Sequence, residues 1–132
     1  MRIAVAYLIA TLACGCGAGP AHDADATLTP LRAVPSALGV KTTGTIVAVL
    51  DDRRVKARID PLNQGEAAVF NGALILLRAG PATRLGCAEE RSGCALTAIN
   101  DLHAGESAIL VFRTDDRDPT DGSFLALVIN RR

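Results

Sequence analysis

An alternation of apolar and charged residues between positions 53 and 60 is the clearest pattern in the chain. Three apolar residues point to one side of an extended strand there, and three basic residues point to the other: Arg54, Lys56 and Arg58. The preceding run, 42–50, is rich in Thr, Ile and Val, and Gly44 within it predicts a bend or a bulge. Asp51 and Asp52 separate the two runs as turn residues. The two runs therefore predict a β-hairpin.

A second hairpin is predicted around Asn71-Gly72, because Asn-Gly between two apolar runs is a strong signal for a tight turn. The two runs are 66–70 and 73–78. One long strand with a bulge at Asn71-Gly72 is the alternative interpretation.

The strand pattern breaks between residues 79 and 105, where Pro and Gly recur. Three apolar residues within this stretch predict one short helical turn that caps the core: Leu96, Ile99 and Leu102. Two later runs, 107–112 and 123–129, are apolar on both faces, as central or barrel strands often are. The Asp-rich connection between them, 113–122, lacks the ligand spacing of a calcium loop and predicts a solvated hairpin turn.

Five or six short strands with one irregular or short helical crossing predict an all-β domain over residues 41–132. We expect a small Greek-key barrel of the OB type, with the crossing packed under it. An open sandwich is the alternative.

Two segments precede this domain. Residues 1–15 carry a positive charge at Arg2, continue with an uncharged apolar run and end in small residues, which is typical of a secretory signal peptide. The apolar run is shorter than the about 20 residues that span a bilayer. Residues 16–40 are rich in Ala, Pro, Thr and Asp, and they predict a flexible tether because they bury too little apolar surface to offset their ordering entropy.

Residues 1–16 resemble the precursor of a bacterial lipoprotein, in which small residues precede a cysteine that receives lipid. Two positions fit, Thr11-Leu12-Ala13-Cys14 and Ala13-Cys14-Gly15-Cys16. The resemblance implies a lipid anchor on Cys14 or Cys16, in the outer membrane on its periplasmic side if the host has one. An ordinary cleaved signal is the alternative.

Cleavage at the two candidate cysteines leaves different sets of cysteines in the mature chain. Cleavage before Cys16 removes Cys14, so that only Cys87 and Cys94 remain as further thiols. Cleavage before Cys14 leaves Cys16 as an odd thiol in an oxidising compartment, which is unusual. Both positions stay open.

Cys87 and Cys94 enclose a short loop, and in an exported protein such a pair most often forms a disulfide. The chain-entropy model gives about 2.5 kcal/mol for a ring of this size. A metal pair needs further Cys or His ligands, and His103 alone is at hand. A redox pair is usually Cys-x-x-Cys at a helix start. We therefore predict the disulfide and no metal or cofactor.

Composition argues against several function classes. The chain has 14 basic and 14 acidic residues, so nothing favours bulk attraction to nucleic acid. Only four aromatic residues are present, three Phe and one Tyr, which argues against a stacking platform for single-stranded nucleic acid. The residues show no activating Ser, Cys and His arrangement and no phosphate loop, so an enzyme is not expected.

The basic row Arg54, Lys56 and Arg58 is the candidate binding feature, since the second strand of an OB-like barrel belongs to its ligand face. Charges that keep a sheet face soluble are the plainer interpretation. Two functions remain: a membrane-tethered module that binds another envelope protein, and a barrel that binds an anionic saccharide, lipid head group or nucleotide through the basic row.

Overall fold

The computed structural model describes residues 24–31, 34–89 and 94–132. The predicted signal segment, with Cys14 and Cys16, lies outside the described residues. Five strands make up the fold: β1 Val40–Val49, β2 Arg54–Ile59, β3 Leu74–Cys87, β4 Ser107–Arg117 and β5 Phe124–Arg131. Two 3₁₀ helices, Gly65–Phe70 and Ile99–Asp101, connect β2 to β3 and β3 to β4. Among the described helices, none is long and apolar enough to cross a membrane.

The strands form a closed barrel in the order β1-β2-β3-β5-β4. β3 and β5 run parallel, and the other four pairings are antiparallel. β1 closes the barrel because it pairs with both β2 and β4. This is a five-stranded Greek-key barrel of the OB type, and the predicted fold class is confirmed.

The β1–β2 hairpin is confirmed, but its bulge lies at Val47, where the register with β2 shifts, and not at Gly44. Gly44 serves a different purpose. It pairs with Ile59 of β2 and with Ala108 of β4, at the point where β1 passes from one neighbour to the other. A Cβ atom on Gly44 would lie 2.7 Å from the carbonyl oxygen of Arg58. A glycine is therefore required by close packing of the backbones.

The predicted second hairpin is wrong, and so is its alternative of one bulged strand. The run before Asn71 forms the 3₁₀ helix Gly65–Phe70, which buries Ala67 and Phe70 against the barrel. Their spacing of three residues matches a 3₁₀ turn, whereas a strand would place them on opposite faces. The Asn71 amide then donates to the Ala68 carbonyl oxygen and ends the helix.

β3 continues through the region where the sequence predicts a broken pattern, and it ends only at Cys87. Its register with β5 shifts between Ala79 and Arg84, which leaves Pro81 in an exposed bulge. Thr83 closes this bulge: its Oγ1 accepts from the Gly80 amide at 2.8 Å and donates to the Ala126 carbonyl oxygen at 2.6 Å. The Thr83 hydroxyl thus provides hydrogen bonds where the strand pairing is interrupted by the bulge.

The predicted helical cap is confirmed. Leu96, Ile99 and Leu102 are all buried in the core cluster, and Ile99 is the first residue of the short 3₁₀ helix. The last two strands are also confirmed, although β4 runs to Arg117, so that the turn before β5 is shorter than the predicted 113–122.

Three phenylalanine rings fill the barrel. Phe70 meets Phe112 edge to face with ring centroids 5.1 Å apart, and it meets Phe124 in the same way at 5.9 Å. All three side chains are almost completely buried. The 3₁₀ helix before β3 therefore contributes the ring around which the core is packed.

Candidate functional site

The outer face of β2 and β3 carries the predicted basic row. Core residues alternate with outward ones on both strands, and the register places Arg54 beside Arg78, Lys56 beside Leu76 and Arg58 beside Leu74. We call these six residues the β2–β3 face. In OB barrels this face and the loops beside it bind ligands. The structure shows that the three basic residues of the row occupy different surroundings.

Arg54 lies in a cleft of about 290 Å³ between the β1–β2 and β4–β5 turns. Its guanidinium binds the Asp51 carboxylate at 2.9 Å and reaches Asp121 at 3.5 Å. The cleft lining holds three arginines and three aspartates: Arg53, Arg54, Arg78, Asp51, Asp118 and Asp121. The positive charge of Arg54 is therefore already balanced inside the protein.

Hydrogen bonds lower the pKa of two of the three aspartates in this cleft, Asp51 and Asp121. The Arg53 amide donates to Asp51 Oδ1, and this bond, together with the Arg54 guanidinium, holds the pKa of Asp51 below its usual range. Burial alone would raise the pKa of Asp121, but the Ser123 amide and Arg54 outweigh it and lower that pKa. The cleft is thus a set of ion pairs around the turns.

Arg78 is also paired. Its Nη1 donates to the Ser123 carbonyl oxygen at 2.7 Å, and its Nη2 binds Asp116 Oδ1 at 2.6 Å. The guanidinium thereby joins β3 to both sides of the β4–β5 turn. This leaves little of the Arg78 guanidinium for an outside anion.

Lys56 does not face solvent, contrary to the predicted outward row. Only 8% of the residue is exposed, and Nζ donates to the carbonyl oxygens of Ala24 and Ala26, both at 2.6 Å. The segment before the barrel covers it. We call residues 24–31 the N-terminal arm.

The N-terminal arm also covers the apolar part of the β2–β3 face. Leu74 and Leu76 point outward from the barrel, yet they are only 2% and 3% exposed. The Thr29 amide donates to the Leu74 carbonyl oxygen at 2.9 Å, and the Leu74 amide donates to Thr29 Oγ1 at 2.8 Å. Thr29 therefore fastens the arm to Leu74, the first residue of β3.

The predicted tether, 16–40, is consequently not free over its described part. Beyond the arm, Thr114 exchanges hydrogen bonds with Ala37: its Oγ1 accepts from the Ala37 amide at 2.7 Å, and its amide donates to the Ala37 carbonyl oxygen at 3.0 Å. Leu31 and Val34 pack against the core cluster. Short side chains and backbone groups make these contacts, so a composition typical of linkers did not reveal them.

Arg58 is the one exposed member of the row, and its Nη1 donates to the Gly72 carbonyl oxygen at 3.2 Å. The row therefore divides into an ion-paired Arg54, a covered Lys56 and an exposed Arg58. A single anion site made by the three side chains does not form in this structure.

The disulfide between Cys87 and Cys94 is confirmed, with a Cα–Cα separation of 6.4 Å. It joins the end of β3 to the start of the crossing. The other end of the crossing is held by Arg131, which donates to the Asp101 carbonyl oxygen and binds the Glu106 carboxylate. Within the described ranges, no group of three or more His, Cys, Asp or Glu residues converges as a metal site would require.

No protein-family model matches the chain, and no curated protein matches it at a significant level. Solved structures of CusF from Escherichia coli are similar in shape. A copper(II) structure of a CusF variant is 15% identical, with a TM-score of 0.46 over 76% of this chain and 98% of that one. A silver(I) structure is 13% identical, with a TM-score of 0.47 over 74% and 95%. Metal-free CusF is 13% identical, with a TM-score of 0.44 over 82% and 93%.

The sequence did not predict Leu74 and Leu76 as parts of this face, or Thr29 as the arm residue that binds it. One signal for them was present. The run 73–78 is apolar at successive positions, so both faces of the strand must be covered. The sequence did not say what covers the outer one.

Proposed function

We propose that this protein is a lipid-anchored lipoprotein of the bacterial envelope and that its barrel is a protein-interaction module. One observation carries the second part: the β2–β3 face holds a polypeptide segment through the Thr29–Leu74 hydrogen bonds and the Lys56 ammonium, and Leu74 and Leu76 are buried. A face that binds one polypeptide segment has groups that can bind another.

Two features support the first part. The signal segment resembles that of lipoproteins, and the Cys87–Cys94 disulfide is of the kind that persists in oxidising compartments. An anchor on Cys14 or Cys16 would keep the barrel at a membrane surface, where two or more acyl chains hold a protein stably.

The other candidate, an anionic ligand on the basic row, loses support. Arg54 is paired with Asp51, and Lys56 is covered by the N-terminal arm. The cleft beside Arg54 has as many carboxylates as guanidiniums, so it offers no net positive charge to an anion.

Two measurements test the proposal on the full-length protein expressed in a bacterial envelope. Mass spectrometry of the mature N-terminus is expected to find a diacylglyceryl-modified cysteine, and an unmodified residue there would end the lipoprotein assignment. Crosslinking in intact cells followed by affinity capture is expected to recover a discrete envelope protein joined to the barrel. Recovery of the monomer alone, at crosslinker levels that join known envelope complexes, would contradict an interaction module.

A further inference from the structure

The edge of β3 is open at its first residues. Pairing of β3 with β5 begins at Leu77, opposite Phe124, so the backbone of Leu74 extends beyond the end of its neighbour. Strand edges of this kind are templates for another extended chain. Thr29 of the N-terminal arm uses this edge, with both a backbone and a side-chain hydrogen bond.

The charge on the β2–β3 face is compensated unevenly. Arg54 and Arg78 are paired with aspartates. Lys56 has only the neutral carbonyl oxygens of the arm as partners among the described residues, and the exposed Arg58 donates to a carbonyl oxygen. The half of the face beside Leu74 is therefore positive without a carboxylate of its own.

The N-terminal arm has a matching composition. Within residues 24–31 the arm contains one aspartate, Asp25, and no lysine or arginine. Its side chains are short up to Thr27, which lets the backbone approach Lys56 closely. The arm thus carries one negative charge and lies on a basic, partly apolar sheet edge.

We propose that the β2–β3 face is a groove for an extended acidic peptide segment of a partner protein, and that the N-terminal arm occupies this groove in cis. The partner segment pairs with the backbone of Leu74, covers Leu76 and brings carboxylates to Lys56 and Arg58. The partner segment and the arm cannot occupy the groove together. A partner must therefore bind tightly enough to displace the arm. This inference deepens the proposed interaction module by naming its surface and the chemistry of its partner.

The test uses the full-length chain and a fluorescent peptide with the sequence of residues 23–31. Thr29→Pro removes both hydrogen bonds of Thr29 and loosens the arm, whereas Thr27→Pro, at an exposed position, is the matched control. We expect the peptide to bind Thr29→Pro at least about tenfold more tightly than the wild type or the control, because apparent affinity scales with the open fraction. Failure of the peptide to bind Thr29→Pro would overturn the groove.

Two further variants test the chemistry. Adding Lys56→Met to Thr29→Pro is expected to weaken peptide binding about tenfold, and so is replacing both aspartates of the peptide by asparagine. Unchanged affinity in either case would overturn the acidic specificity. Near-ultraviolet circular dichroism and thermal unfolding check that each variant is folded, and Thr29→Val gives a milder loosening if Thr29→Pro is not.

The same variants separate this proposal from two other outcomes. The groove could bind a second copy of the chain, or the interaction module could use a different surface. If sedimentation equilibrium shows that Thr29→Pro dimerises by exchanging arms, the occupant is a second copy and the partner segment is rejected. If envelope crosslinking captures a partner through residues far from Leu74 and Lys56, the interaction module stands and this groove is rejected. A partner crosslinked at the β2–β3 face supports both.

Discussion

Leu74 and Thr29 exchange two hydrogen bonds across 45 residues of sequence, one through the Thr29 amide and one through its hydroxyl oxygen. This pair fastens the N-terminal arm to the edge of β3. Because Leu74 precedes Leu77, the first β3 residue that pairs with β5, its amide and carbonyl groups bond to Thr29 of the arm instead of to β5.

Thr29→Val tests this contact directly. The variant keeps the Thr29 amide but leaves the buried Leu74 amide without an acceptor, which costs about 1 kcal/mol or more. Hydrogen exchange at the Leu74 amide is expected to accelerate about fivefold, while global unfolding changes less. Thr27→Val, at an exposed position of the same arm, is the control. Equal exchange rates in both variants would show that the arm does not protect Leu74.

The disulfide is expected to contribute a large part of the stability of this small barrel. Replacing Cys87 and Cys94 together by serine should lower the free energy of unfolding by about 2.5 kcal/mol and the melting temperature by about 10 °C. Thermal unfolding measures the effect. Reductant should lower the melting temperature of the wild type and leave that of the double variant unchanged. Insensitivity of the wild type to reductant would contradict a structural role.

Phe70 tests whether the 3₁₀ helix before β3 is part of the core. Its side chain is fully buried between Phe112 and Phe124, so Phe70→Ala is expected to cost about 3–5 kcal/mol. Val69, the preceding residue, is 47% exposed, and Val69→Ala should change the stability by less than about 0.5 kcal/mol. Chemical denaturation compares the two. Similar losses would mean that the helix does not place Phe70 as described.

Glu106 makes the fold sensitive to acid. Burial would raise the pKa of Glu106, but the Arg131 guanidinium and the His103 amide outweigh it and lower this pKa. A lowered pKa in the folded state means that the carboxylate stabilises the fold above its ordinary pKa, about 4.3, and that this contribution is lost as the pH falls through the folded value.

Glu106→Gln should therefore destabilise the protein by about 1 kcal/mol at pH 7 and by progressively less below about pH 4. Denaturation at a series of pH values measures the difference from the wild type. Glu66→Gln, in an exposed position, is the matched control for the substitution itself. A difference for Glu106→Gln that stays constant down to pH 2 would contradict the role of its charge.

The elements that were predicted correctly are those whose pattern depends on residues close together in the sequence. The alternation on β2 and the turn at Asp51 predict the β1–β2 hairpin, and the spacing of Leu96, Ile99 and Leu102 predicts the cap. The second hairpin was predicted wrongly because Asn-Gly is a strong hairpin signal. Burial of Phe70 against Phe112 and Phe124, which are distant in sequence, favoured a 3₁₀ helix instead. Local turn chemistry was outweighed by tertiary packing.

The candidate site was predicted only in part. The sequence placed Arg54, Lys56 and Arg58 in one row of β2, and the register aligns this row with Arg78, Leu76 and Leu74 of β3. It did not show that Lys56 would be covered, because the covering carbonyl oxygens belong to Ala24 and Ala26, and every residue has a carbonyl group. A hydrogen bond to a backbone carbonyl oxygen therefore cannot be predicted from the identity of the side chain.

The sequence by itself determined the all-β class, the alternation of core and outer positions, and the pairing of Cys87 with Cys94, since each depends on periodicity or on residue type. Only the tertiary structure decided the closing of the barrel through β1, the continuation of β3 past Pro81, and the docking of the N-terminal arm on Leu74. These depend on which backbone groups and apolar faces are left unpaired once the strands assemble, and that is a property of the folded chain as a whole.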